Sequence, residues 1–247
     1  MYREIMLIVI NGWGFGESIW ENFFEELYRM IGTKIEKEIV IWNDMNGLDD
    51  IEQEIQSIIR VNRHRRIVLI GWSLGSIVAL KYLSEVEGAV LISPGVRFSR
   101  KENECIGWDE KSIERMKENL IADKMNVLYA FVNKLLARDE KLFYEKLVQV
   151  LECDCNKFSI QDLIYGLDCL KNIDFEEYVY KLDSNVLLIH GEKDRIVPLR
   201  RCLDMSDTND EIKKIIVKRA GHIPFYTNRE VVTNLVISHI RSLFDDR

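Results

Sequence analysis

Ile67-Val68-Leu69-Ile70-Gly71-Trp72-Ser73-Leu74-Gly75-Ser76-Ile77-Val78-Ala79-Leu80 is the stretch that decides the fold. An uninterrupted apolar run reads as a parallel strand buried on both faces. A G-x-S-x-G pentapeptide follows, and a helical pattern continues from Ser76 to Leu83. In the strand–turn–helix context this pentapeptide forces a turn so tight that the serine is held in strained backbone geometry, its hydroxyl exposed above the sheet. The glycines on either side are needed because a Cβ there would strike the neighbouring strand or helix. Ser73 is therefore a candidate nucleophile. Alone, the motif is a weak signal, so its helpers must be found elsewhere in the chain.

Two later segments supply them. The apolar run Asn185-Val186-Leu187-Leu188-Ile189 leads into His190-Gly191-Glu192-Lys193-Asp194, which puts a carboxylate beyond the end of a strand. Ile215-Ile216-Val217 precedes Ala220-Gly221-His222-Ile223-Pro224-Phe225, a histidine in a glycine-containing loop. Taken singly, Asp194 reads as a turn residue bonding nearby backbone N–H groups, and His222 as a capping or core histidine. Taken together, Ser73, Asp194 and His222 follow strands at one end of a parallel sheet, in the chain order of α/β-hydrolases. A fourth element, Asn11-Gly12-Trp13-Gly14, ends the first apolar run, where its backbone N–H groups can face an oxyanion. The other histidines read as structural: His64 in a solvated basic turn, His190 in the interior and His239 on the surface of the last helix.

Working outward, six strands are predicted at 5–10, 38–42, 67–71, 88–92, 185–190 and 213–217. Helical patterns at Ile19–Ile31, Leu48–Arg60 and Ser76–Glu85 alternate with the first four, the rhythm of a doubly wound parallel sheet. From Arg97 to Asp183 the rhythm breaks. Only helical patterns occur there, at Asp109–Asn119, Ala122–Ala137, Glu140–Leu151 and Ile160–Leu170, and Arg229–Phe244 reads as a closing helix. The expectation is an α/β-hydrolase fold with a six-stranded, mainly parallel sheet. Residues 1–96 and 184–247 would form the core, and 97–183 a helical cap inserted before the strand at 185–190.

Composition narrows the function. The 247 residues, 47% of them hydrophobic, suffice for one sizeable core, and the three candidate residues meet only if the whole chain forms one catalytic unit. A balance of 34 basic against 41 acidic residues argues against a nucleic-acid partner, which would require a cationic surface. The first apolar run is too short for a signal peptide or a membrane span. Five cysteines, an odd number, do not form a disulfide framework, and Cys153-Asp154-Cys155 lacks the spacing of a zinc site. Free thiols and a cytoplasmic location are expected, with no metal and no organic cofactor.

The inserted segment carries two further patterns. Val127, Leu128, Phe131, Val132, Leu135 and Leu136 form an apolar stripe at i, i+3, i+4 spacing, most of which packs the cap on the core; Phe131 and its neighbours either do the same or line a tunnel for an acyl chain. Lys134, Arg138 and Lys141, at i, i+4 and i+7, read as a row on one helix face. Such a row is a solvated face or a dock for an acidic carrier protein.

The motifs Asn11-Gly12-Trp13-Gly14, Gly71-Trp72-Ser73-Leu74-Gly75, Gly191-Glu192-Lys193-Asp194 and His222-Ile223-Pro224-Phe225 resemble those of the pimeloyl-acyl-carrier-protein methyl ester carboxylesterases of biotin synthesis, over most of the chain. Ser93-Pro94 through Trp108, the Phe131 helix and Gly166-Leu167-Asp168-Cys169-Leu170-Lys171 are similar to the cap of that family. Asn11 departs from it, standing where the family usually opens its oxyanion loop with histidine. The resemblance implies Ser73 as nucleophile, Asp194 and His222 as its partners, and the backbone N–H groups of Trp13 and Leu74 as the oxyanion hole. It implies an acyl-chain site around Trp13, Trp72, Leu74, Phe131, Val132 and Leu135. A medium-chain acyl methyl ester, carried on acyl-carrier protein, is the substrate it implies, with Lys134, Arg138 and Lys141 as the candidate dock. The same three catalytic residues would also serve a general small-ester hydrolase, a C–C bond hydrolase or a menaquinone-pathway lyase.

Overall fold

The computed structural model describes residues 4–102 and 104–244. Strands β1 (Ile5–Ile10), β2 (Glu36–Val40), β3 (Arg66–Trp72), β4 (Gly88–Ile92), β5 (Val186–Gly191) and β6 (Lys213–Val217) form one sheet in the order β2-β1-β3-β4-β5-β6. All five pairings are parallel. The order reverses between β1 and β3, so the loops leaving these two strands flank the crevice where open α/β sheets bind ligands.

Burial follows sequence. Every residue of β1, β4 and β5 is buried, and β3 is buried from Ile67 onward. The two edges are charged instead. Glu36, Lys37 and Glu38 of β2 and Lys213 and Lys214 of β6 are exposed, which discourages pairing with another chain. β2 begins two residues earlier than its apolar core suggests and stops at Val40. There Asn11 N–H donates to the Val40 carbonyl at 3.0 Å, and Trp42 turns away to donate through Nε1 to the Asn11 carbonyl at 2.6 Å.

Helices α1 (Glu21–Ile31), α2 (Leu48–Val61) and α3 (Leu74–Ala79) connect the first four strands. α3 is shorter than its apolar pattern suggests, because the chain tightens into a 3₁₀ helix over Leu80–Glu85. Between β4 and β5 lie α4 (Glu110–Ala122), α5 (Lys124–Leu135), α6 (Tyr144–Asp154) and α7 (Ile160–Asn172). Asp109, Asp123 and Ser159 cap α4, α5 and α7 by accepting from Ser112, Asn126 and Asp162 N–H groups. After β5 come α8 (Leu199–Ser206), the short α9 (Pro224–Thr227) and α10 (Arg229–Phe244).

Two expectations change. Lys134, Arg138 and Lys141 do not share a helix face: α5 ends at Leu135, Leu136 and Ala137 are extended, and Arg138–Phe143 is a separate 3₁₀ helix. Lys134 lies over the Trp108 ring, 4.6 Å from its centroid, while Lys141 bonds the Asn133 carbonyl. His239 is not at the surface. It is 3% exposed, with Nε2 bonded to the Asn185 carbonyl at 3.0 Å ahead of β5. Among the described residues, no helix is long and apolar enough to cross a membrane.

Candidate active site

At the end of β3 the chain turns into α3 through Ser73, whose φ of 55° and ψ of −118° lie outside the ordinary basins for an L-residue. Crowding explains why the flanking positions are glycine. A Cβ on Gly71 would lie 2.7 Å from the Ser76 Cα, and one on Gly75 only 2.0 Å from the Ile10 carbonyl oxygen. The elbow is thus pressed against the end of β1. Leu74 opens α3, so its N–H has no acceptor within the helix, and Trp13 lies in the adjoining loop after β1.

Asn11 shapes that loop from within. Its Nδ2 donates to the Phe15 and Gly16 carbonyls, both at 2.8 Å, and its Oδ1 accepts from Gly12 N–H at 3.0 Å and Trp20 Nε1 at 3.1 Å. A fully buried amide here satisfies its whole donor and acceptor set on the loop backbone and one indole. This is how the loop keeps its form without a histidine.

The structure brings Ser73, Asp194 and His222 into one hydrogen-bonded chain. His222 Nε2 is 2.8 Å from Ser73 Oγ, and His222 Nδ1 is 2.7 Å from Asp194 Oδ2. The carboxylate only accepts, so Nδ1 carries the proton, and Nε2 then accepts from the serine hydroxyl. Asp194 Oδ1 accepts from the Ile196 and Val197 N–H groups at 2.8 and 3.0 Å. Burial on its own pushes the Asp194 carboxyl up, but His222, His190 and the Ile196 N–H more than offset it and hold the group below the usual carboxylate range.

His190 is a second imidazole on the same carboxylate. Its Nε2 lies 3.0 Å from the Val197 carbonyl and 3.3 Å from Asp194 Oδ2. Burial pushes its pKa down, so the ring is neutral near pH 7, with Nε2–H as the donor. The main chain of His222 is held as firmly as its ring. Its N–H donates to the Leu135 carbonyl at 2.8 Å, and its carbonyl accepts from Trp72 Nε1 at 3.0 Å and Ser93 Oγ at 2.9 Å.

A small cavity of about 10 Å³ opens beside Ser73. Trp13, Phe98, Trp108 and Phe131 give it aromatic walls; Ile113 and Met116 from α4, Leu167 and Leu170 from α7, and Ile196 complete its apolar lining. The Trp13 and Phe131 rings meet edge to face at 4.9 Å. Trp13 is seated by its Nε1 bond to the Leu163 carbonyl and by Gly166, whose Cβ, if present, would lie 2.5 Å from the indole. A second hollow of about 430 Å³ lies between α4 and α5 and shares Trp108, Met116 and Phe131 with the first, with Arg115 and Lys134 among its walls.

Of the residues expected around an acyl chain, Trp13 and Phe131 line the cavity; Trp72, Leu74, Val132 and Leu135 do not. Trp72 is committed elsewhere. Its indole supports the His222 carbonyl and packs against Phe15, Trp20 and Phe225, beneath Gly12. Sequence reasoning did not single out Met116, Leu167, Leu170 or Ile196 as walls. Their signal was spacing: Ile113 with Met116, and Leu167 with Leu170, recur at i, i+3 on helices over the site.

A strained serine elbow on a parallel sheet, hydrogen-bonded through an imidazole to a carboxylate beyond later strands, defines the α/β-hydrolase class. The model of the alpha/beta hydrolase family matches residues 7–234, and the chain belongs to that family. It is 26% identical to the pimeloyl-[acyl-carrier protein] methyl ester esterase of Wigglesworthia glossinidia brevipalpis, over 91% of this chain and 89% of that one. It is 23% identical to the AB hydrolase superfamily protein YisY of Bacillus subtilis, over 93% and 89%. Among solved structures, an esterase from Exiguobacterium antarcticum superposes with a TM-score of 0.84 at 18% identity, covering 98% of this chain and 93% of that one. A bromoperoxidase from Bacillus anthracis gives 0.81 at 16% identity, over 96% and 91%.

Proposed function

We propose that this protein is a serine carboxylesterase that hydrolyses a medium-chain acyl methyl ester, with pimeloyl-[acyl-carrier protein] methyl ester as the specific candidate. The observation that carries the reading is the continuous bond chain from Ser73 Oγ through His222 to Asp194, at 2.8 and 2.7 Å. The substrate is suggested by the relatives that bear that name and by the apolar walls around the serine.

In the proposed reaction His222 Nε2 takes the Ser73 proton as Oγ attacks the ester carbonyl, and Asp194 holds the imidazolium through Nδ1–H. The N–H groups of Leu74 and Trp13 take the developing oxyanion. Loss of one such donor typically costs about 3 kcal/mol in the barrier. Collapse expels methanol, which receives its proton from His222, and leaves the acyl group on Oγ. Water then attacks, giving its proton to His222, and the acid departs as Ser73 recovers its hydrogen.

Residues 97–183 act in this reading as a cap. A cavity of about 10 Å³ holds about one water and no acyl chain, so α4 and α5 must part before the ester reaches Ser73. The hollow behind Phe131 is the nearest space for the rest of the substrate, and Arg115 and Lys134 are the cations there for an acidic carrier. The test is growth of a biotin-requiring strain that lacks its own pimeloyl methyl ester esterase. Rescue by this gene, abolished by Ser73→Ala, supports the reading. Rapid hydrolysis of p-nitrophenyl esters without rescue would leave a carboxylesterase acting on a different acyl group.

A further inference from the structure

His222 is held from two sides that belong to different parts of the chain. Its carbonyl is fixed by Trp72 and Ser93, from β3 and the end of β4. Its N–H is fixed by the Leu135 carbonyl at the end of α5, in the inserted segment. One residue earlier the pattern repeats, because Gly221 N–H donates to Glu140 Oε2 at 2.8 Å. Glu140 lies in the 3₁₀ helix between α5 and α6, also in the inserted segment.

Glu140 has no role in the reaction above, yet it is a carboxylate only 6% exposed. Its Oε2 also accepts from Ala137 N–H at 2.8 Å, while Oε1 accepts from the Thr227 hydroxyl and, at 3.4 Å, from Asn228 Nδ2. In each of these contacts Glu140 is the acceptor, and two of the donors are backbone N–H groups that can only donate. The contact with the histidine loop is close. A Cβ on Gly221 would stand 2.8 Å from Glu140 Oε2, 2.7 Å from Ala137 N and 2.3 Å from the Leu135 oxygen. The loop can take this course only because that residue is glycine.

We propose that Glu140 is a positioning residue for His222, and that through Glu140 and Leu135 the histidine's place is tied to the inserted helices rather than to the sheet alone. The helix that ends at Leu135 also carries Phe131, a wall of the cavity that must widen for substrate. Displacement of α5 therefore pulls on the peptide before the imidazole. Because the bonds to Trp72 and Ser93 stay with the core, such a pull rotates the ring relative to Ser73 instead of carrying both along. The imidazole returns to bonding distance when α5 settles back over a bound acyl chain. Misplacement of a catalytic group by an ångström can cost a hundredfold in rate.

This inference rests on the esterase reading, and the experiment separates the two. Glu140→Ala and Glu140→Gln would be assayed with a p-nitrophenyl ester, normalised to folded protein by circular dichroism and thermal melting. Glutamine keeps the shape of the side chain but turns an amide N–H₂ toward one pair of donors. A tenfold to hundredfold fall in kcat per folded molecule is expected for alanine, with KM within about twofold and a smaller fall for glutamine. The rate at which a fluorophosphonate labels Ser73 should fall in parallel, since it needs His222 but no acyl pocket. Should alanine fail to fold, the glutamine variant decides alone. Unchanged kcat and labelling per folded molecule in the glutamine variant, or a loss confined to KM, overturns the positioning role. Ser73→Ala with undiminished turnover would instead overturn the underlying reading.

Discussion

At the scale of single residues, the proposed reaction divides the site into groups that react and groups that hold them. Ser73→Ala is expected to lower kcat by about four to six orders of magnitude with little change in melting temperature, checked against p-nitrophenyl acetate. Asp194→Asn keeps the shape but presents an N–H₂ or a weaker acceptor to His222 Nδ1, disturbing the tautomer, and a loss of about 10⁴ in kcat is expected. A different residue governs acid stability. Burial pushes His239 down to about 4, against an ordinary value near 6.5. As pH falls, the unfolded chain therefore takes up this proton before the folded one does. The neutral histidine's contribution is complete above about pH 6.5 and is lost progressively toward pH 4, a change on the order of 3 kcal/mol. His190 shifts in the same direction, so both steepen the fall. Melting curves across this window should drop for the wild type and less steeply for His239→Gln. His239 also marks where sequence stops being informative. His239 stands three residues after Val236 and four before Leu243, on the buried stripe of the last helix, so its period and not its residue type carried the signal. Nothing in the sequence names the Asn185 carbonyl as its partner, whereas Ser73, Asp194 and His222 are each marked by the strand before them.

At the scale of elements, strands were readable because burial on two faces demands long apolar runs, and β1 and β4 have the expected bounds. Where the chain leaves a pattern for a hydrogen bond, pattern reading slips. β2 ends when Trp42 turns to the Asn11 carbonyl, and the basic row over Lys134, Arg138 and Lys141 is broken by two extended residues that no spacing rule foresees. Tertiary roles were the least legible. Trp72 sits in the most diagnostic motif of the chain, but what it contacts is set by residues about 150 positions away. α5 offers the most direct test of the walls around the serine. Phe131→Ala removes a ring packed on Trp13 and should cost about 3–5 kcal/mol in stability if the cavity does not collapse. The same change opens the wall toward the hollow between α4 and α5. The acyl-length profile, measured as kcat/KM across p-nitrophenyl esters of two to ten carbons, should therefore move toward longer chains.

At the scale of the whole molecule, the sheet and the helices between β4 and β5 both contribute to one site. The central strands are buried on both faces, while α4 and α5 cover the serine with one face and meet solvent with the other. Amide hydrogen exchange is expected to open α4 and α5 at markedly lower free energy than β1, β3 and β4. A pulse-labelling measurement would check this, and uniform protection would contradict it. The tight space beside Ser73 has a further effect on the proposed reaction once methanol has left. With the walls closed over the acyl group on Ser73, nucleophiles no larger than the departing methanol can enter, whereas bulkier ones such as glycerol are kept out by size. Transfer of the acyl group to added glycerol should therefore lose to simple hydrolysis even at molar glycerol.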